Sequence, residues 1–293
     1  MLSKSESHVA VGSEIRKGKR RIAWRSGTII AVVGILPTLL LYAVIAHLQM
    51  LGESAAALAM PGMHMQNMTR YWSFPILQAS GLTGLCFAYF SILLGLLQSG
   101  KMHSWFSMSY RQVDQLHRQI GLLVISLVLV HVVATIFDAM GDSWVTALIP
   151  GAEGSSWPAG VWGYNLGIFA LYTLALTAPT FYFRRIIRPH RWRFLHRFVL
   201  IFYALSVWHA LVLGADISFY GWIRPVMWLA QIPLLALFIK RLMGPGPTRR
   251  NLSPARQLLL KTIRYGLVGI SGAGIVVILV IVLTGQSGFI HRV

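Results

Sequence analysis

The sequence predicts an all-α integral membrane protein, a six-helix bundle followed by one additional helix, with about seven spans in total. Three observations carry that expectation. The 293 residues are 56% hydrophobic, with a mean hydropathy of +0.63. Only 12% are charged, about half the share found in an ordinary soluble domain. The apolar residues also gather into stretches of the roughly 20 residues that a bilayer crossing requires.

Seven such stretches run along the chain: 28–50, 75–98, 117–138, 160–183, 195–214, 219–240 and 264–285. Residues 1–27 form a basic tail, 28–240 the bundle with its core at 75–240, 241–263 a linker, and 264–293 an extra span with a short tail. The fifth and sixth spans are separated only by a turn near Gly214, Ala215 and Asp216, so an antiparallel hairpin is expected there. Pro37, Pro179 and Pro225 fall within spans, where neighbouring helices can satisfy a carbonyl that proline frees. The last span carries GISGAG (Gly269 to Gly274). Without a preceding strand this is no phosphate loop, and its small residues suit close helix contact. Cys86, the one cysteine, is read as a small packing residue; it excludes an intrachain disulfide framework.

A net charge of +18 taken alone would suggest nucleic acid as a partner. The distribution of that charge points to a lipid bilayer instead. With the N-terminus cytoplasmic, 23 of the 26 Lys and Arg fall on the inner side, leaving Arg70, Arg224 and Arg292 outside. This asymmetry predicts a cytoplasmic N-terminus and an extracytoplasmic C-terminus. No cleavable signal peptide is expected, because the apolar stretch after Arg25 has full membrane length.

Two spans then raise a chemical question. LHRQIGLLVISLVLVH (Leu116 to His131) and LHRFVLIFYALSVWH (Leu195 to His209) both open with Leu-His-Arg and carry a second histidine further on. Imidazole is costly to desolvate, and ionisable side chains inside a membrane are candidates for function. His117 and His131 are 14 residues apart, and His196 and His209 are 13 apart. Those spacings are roughly 21 and 20 Å along a helix. Both helices run outward, so His117 faces His196 in the inner leaflet and His131 faces His209 in the outer one. Opposed imidazoles at two depths make two bis-histidine sites, which suit low-spin haem used for electron transfer.

The angular requirement is met unevenly. Fourteen residues return His131 to within about 40° of His117, whereas thirteen leave His209 roughly 140° from His196 on an ideal helix. Either the second helix is locally overwound or its two sites lie at different azimuths. Arg118 and Arg197 follow the inner histidines and suit either haem propionates or inner headgroups. Trp208 reads as an interfacial anchor. His8, His103, His190 and His291 lie in tails or loops, and His47 ends the first span without a partner.

At these four histidines the chain resembles the ferric reductase and NADPH oxidase superfamily of transmembrane haem proteins, over roughly residues 75–240. Members of that superfamily carry His-x13-His on one helix and His-x12-His on the next but one. The resemblance implies two b-type haems, the inner held by His117 and His196 and the outer by His131 and His209. Members with a complete electron path append a cytosolic flavin- and NADPH-binding domain, whereas here a linker and one span follow the core. The chain therefore resembles the membrane component alone, as in the haem subunit of the bacterial periplasmic methionine sulfoxide reductase system. This implies a separate flavoprotein reductase or quinol as donor and a bacterial inner membrane as location.

The basic loop RRIIRPHRWR (Arg184 to Arg193) suits docking of an acidic flavoprotein or binding of anionic lipid. On the outer side, MPGMHMQNM supplies Met60, Met63, His64, Met65 and Met68. Thioethers with imidazole suit copper, and methionines equally suit an apolar lid. Arg70 and Arg224 suit an anionic acceptor or a propionate. The expected function is transmembrane electron transfer to an extracytoplasmic acceptor: ferric or cupric ion, dioxygen or a periplasmic protein. The competing reading is a transporter or channel that uses histidines to relay protons or metal. No catalytic carboxylate pair or Ser-His-Asp set is present, so any oxidoreductase activity would be haem-dependent.

Overall fold

The computed structural model describes residues 32–48, 50–51, 72–99, 109–137, 143–152, 158–214, 217, 221–244 and 253–284. Every element among them is helical. In chain order they are α1 (Val32–Leu48), α2 (Ser73–Ser99), α3 (Tyr110–Ile136), the short α4 (Trp144–Leu148) and α5 (Pro158–Thr177). A 3-10 segment (Pro179–Arg185) leads to α6 (Pro189–His196), α7 (Val199–Leu213), α8 (Ile223–Met243) and α9 (Pro254–Leu283). Six helical stretches are long and apolar enough to cross a membrane, and α1 is a shorter apolar one. An all-helical membrane architecture of about seven spans is thus what the sequence forms.

The helix starts follow local chemistry. Ser109 caps α3: its hydroxyl accepts the Gln112 N–H, and Gln112 Oε1 accepts the Ser109 N–H at 2.8 Å. That reciprocal pair satisfies donors a helix start leaves open, so α3 begins seven residues before its apolar stretch. Pro158, Pro189 and Pro254 occupy the first helical position, where the missing N–H costs nothing and φ is already helical. The last helix consequently starts ten residues earlier than hydropathy places it, and its polar opening turns occupy part of the expected linker.

Proline has three outcomes within the spans. Pro37 sits inside α1 and Pro225 in the first turn of α8, both absorbed as expected, and α8 also carries Pro233. Pro179 is not absorbed. The fourth span, expected to reach 183, leaves the α-helix at Thr177 and continues as 3-10 turns. Proline there cannot donate to a carbonyl one turn earlier, and the chain tightens instead of kinking.

The closest packings are α2 on α3, α5 on α7 and α8 on α9, with α2 also touching α7 and α8. Side chains of Ile92, Leu96, Ile120, Val124, Phe202 and Leu234 fill the centre of this bundle. Outward faces are apolar as well: Leu176 is 76% exposed and Ile270 72%, as expected where lipid replaces water as solvent. Thr38 ties α1 to α2 through the Thr83 hydroxyl at 3.0 Å. The α7–α8 hairpin is held by Tyr203 donating to Gln231 at 3.0 Å and by Arg224 donating to the Leu211 carbonyl at 2.7 Å.

Candidate functional site

The two pairs of histidines meet. His117 of α3 and His196 of α6 have ring centroids 6.0 Å apart with planes at 86°. His131 of α3 and His209 of α7 are 6.1 Å apart, also at 86°. An imidazole nitrogen bonds a first-row metal at roughly 2 Å and lies about 1.1 Å from its ring centre, so ligands on opposite sides of one metal have centroids about 6.3 Å apart. Both separations come close to that value. No packing comparable to α2–α3 or α5–α7 joins α3 to α7, so the two histidine-bearing helices stand apart with imidazoles between them.

The unequal spacing of the histidines is resolved by a break in the second span. Between α6 and α7 the amides of Arg197, Phe198, Leu200 and Ile201 each bond the carbonyl three residues back. Arg197 (φ −66, ψ −23) and Phe198 (φ −65, ψ −13) have the matching dihedrals. A 3-10 turn advances about 120° per residue against about 100° in an α-helix, so the five steps from His196 to Ile201 add roughly 100°. That leaves His209 roughly 40° from His196, the same offset that His131 has from His117. Of the two possibilities open to the sequence, local overwinding is the one the chain adopts.

Three of the four imidazoles sit in the same kind of socket. His131 Nδ1 lies 2.9 Å from the Leu77 carbonyl, His117 Nδ1 3.0 Å from the Ser91 carbonyl and His209 Nδ1 2.8 Å from the Gly163 carbonyl. A carbonyl only accepts, so Nδ1 carries the proton and Nε2 keeps its lone pair for a metal. In each case the residue four positions after that carbonyl is glycine: Gly81, Gly95 and Gly167. A helical carbonyl points toward residue i+4, whose Cβ would stand in the way of a lateral donor. A Cβ on Gly81 would lie 2.9 Å from His131 Nδ1, one on Gly167 2.7 Å from His209 Nδ1, and one on Gly95 3.4 Å from His117 Cε1. Such second contacts fix ring orientation and raise ligand basicity.

Beside His131 and His209 lies a cavity of about 350 Å³, lined also by Gly81, Gly84, Gly167 and Phe202. Ala147 of α4 closes part of its rim, and Tyr172 Oη bonds the Leu148 carbonyl to hold α4 against α5. The described residues contain no group of three or more His, Cys, Asp or Glu suited to a metal ion. A haem iron takes only two ligands from the protein. The paired imidazoles, their carbonyl partners, the glycine clearance and the cavity together fit haem and do not fit a closed metal site.

The remaining predicted residues fall as follows. Arg118 pairs with Asp114 at 2.8 Å, one turn away on α3, and also donates to the Asp114 carbonyl. Arg197 sits at the α6–α7 break and lines a basic recess with His190, Arg191 and Arg193. Arg224 is 8% exposed, its guanidinium on the Leu211 carbonyl two residues past His209. Trp208 packs edge-on against Trp228 while half its surface stays open. Met60, Met63, His64, Met65, Met68 and Arg70 lie outside the described residues. Sequence reasoning missed Gly81, Gly95, Gly167 and Trp192. The first two left a signal: they are 14 residues apart, as are the histidines they face.

The fold and this site define a helical membrane domain built around opposed histidine pairs. Residues 80–207 match the family model described as ferric reductase like transmembrane component, so over this segment the chain is similar to that family. The match takes in His117, His131 and His196 and stops two residues before His209. It points to a transmembrane electron-transfer component. No solved structure matches the chain.

Proposed function

We propose that the protein binds two b-type haems, one between His117 and His196 and one between His131 and His209. In this reading the protein would pass electrons from the cytoplasmic side of a bacterial inner membrane to an extracytoplasmic acceptor. The observation that supports this most directly is the equal centroid separation in both pairs, 6.0 and 6.1 Å, with nearly perpendicular rings. When bound between these imidazoles, haem would supply one-electron exchange. The protein's part is to hold three of the four imidazoles by Nδ1, to keep a slot open with glycine, and to surround the group with apolar side chains.

The cytoplasmic side is the one bearing the Arg-rich turn around α6, by the asymmetry of Lys and Arg. Electrons arrive there from a separate flavoprotein reductase or from quinol, and the exposed Arg191 and Arg193 favour an acidic protein surface. Ferric or cupric ion, dioxygen or a periplasmic protein is the class of acceptor at the other end.

The test is a reduced-minus-oxidised spectrum and a haem-to-protein ratio on the purified full chain. Two haems of b type are expected, falling to one in His117→Ala and in His131→Ala. Colourless wild-type protein would overturn the proposal and favour a transporter or channel using the same histidines for protons or metal.

A further inference from the structure

Among the described residues, His196 is the one ligand candidate without a carbonyl socket. By register, the position that serves His196 as Gly167 serves His209 is thirteen residues further on, at Thr180. That position lies beyond Pro179, in the 3-10 segment. Its residue is not glycine, and its hydroxyl is spent on the Thr177 carbonyl at 2.6 Å. Among the described residues His196 has no hydrogen-bond partner.

What it has is Trp192, one turn earlier on α6. The indole stacks on the imidazole with centroids 5.3 Å apart and planes at 20°. Phe181 meets the indole edge-on at 6.4 Å and 64°. The indole Nε1 is buried and has no hydrogen-bond partner among the described residues. The ring is therefore held by its faces and not by its donor. Four residues of spacing put Trp192 and His196 on one helix face. The 3-10 break begins at Arg197, so no regular turn follows His196 to steady it.

We propose that Trp192 is the positioning residue for His196, replacing the carbonyl socket with an aromatic plane. The proposal rests on the dihaem reading. An imidazole that gives density to a metal becomes electron-poor and is drawn to the negative face of an indole. The stack fixes the ring plane but accepts no proton, so His196 lacks the added basicity that a bonded carbonyl gives the other three. The haem at this end thus has one carbonyl-backed ligand and one stacked ligand, and the other haem has two carbonyl-backed ones. The stacked ligand is the one that lets go first.

The experiment compares Trp192→Leu and Trp192→Phe with the wild-type full chain, purified in detergent. Carbon monoxide binds a reduced haem only where an axial ligand yields, so the readouts are the CO difference spectrum and the ferric low-spin resonance signals. Trp192→Leu is expected to take up CO at one of its two haems and to change one resonance signal while the other stays fixed. Trp192→Phe, which keeps a ring, should behave as wild type. If Trp192→Leu does not accumulate, Trp192→Met keeps bulk without a ring and takes its place. A ringless variant that stays inert to CO with both signals unchanged overturns the proposal. So does one that disturbs both haems equally, since that is loosening of the bundle. Wild-type protein holding fewer than two haems defeats the dihaem reading instead, and is recognised before any variant is made.

Discussion

The two helices that present histidines solve one geometric problem in opposite ways. α3 is a single regular helix, and 14 residues bring His117 and His131 to nearly the same face without adjustment. The α6–α7 span has 13 residues for the same task and reaches it by overwinding at Arg197 and Phe198. Regular geometry leaves α3 with two carbonyl sockets on α2, whereas the broken span keeps one on α5 and leaves His196 to Trp192. A spacing motif in sequence therefore specifies depth in the membrane, while azimuth is set by backbone detail that the motif does not contain.

The most severe way to break this comparison is to change one helix's count. Inserting an alanine after Ser206 rotates His209 by about 100° and shifts it about 1.5 Å relative to His196. The haem at His131 and His209 should be lost and the other kept, as read by the haem-to-protein ratio. Retention of two haems would mean that the overwound turn can redistribute its rotation, and that the 13-residue spacing is not tuned.

The glycine sockets give a graded test. The clearances of 2.7, 2.9 and 3.4 Å at Gly167, Gly81 and Gly95 rank the damage from an added methyl. Gly167→Ala and Gly81→Ala should lower occupancy of the His131–His209 site, with Gly167→Ala the worse. Gly95→Ala should leave the His117–His196 haem bound with a small spectral shift. Equal behaviour of all three would show that the imidazoles move aside freely and that the sockets do not hold them.

Smaller effects fall on the scaffold. Arg224→Met removes a charged donor from the Leu211 carbonyl and should cost about 1.5–3 kcal/mol, seen as a lower apparent melting temperature. If Arg224 serves a propionate instead, the spectrum of one haem changes along with it. Ser109→Ala removes the α3 cap at a cost of about 1 kcal/mol, with haem content unchanged. A loss of haem in that variant would mean that the first turns of α3, not its apolar length, position His117.

Much of this was legible in the residues. Hydropathy located the spans because lipid demands apolar length. The pairing of histidines followed because two helices running the same way place equal spacings at equal depths. The end of α5 at Thr177 was not legible, since proline inside membrane helices is absorbed at Pro37 and not at Pro179, according to what the neighbours supply. The early starts of α3 and α9 were missed because their opening turns are polar and a hydropathy window ignores them. The sockets at Gly163, Leu77 and Ser91 could not be read, because a backbone carbonyl leaves no mark in sequence. Only the glycine four residues later does. Trp192 was visible four positions before His196 but drew no notice among the arginines of its loop.

The carbonyl sockets have a consequence for membrane voltage. A carbonyl has no proton to release, so the groups holding His117, His131 and His209 cannot offset an arriving electron by exchanging one. With the orientation proposed above, each electron crossing the roughly 20 Å between the two depths moves as uncompensated charge. An electron leaving an inside-negative cell moves down its electrical gradient, and a full crossing releases about 2.3 kcal/mol for every 100 mV. Turnover in sealed vesicles would accordingly discharge the membrane and slow as the interior turned positive, with an ionophore restoring the rate.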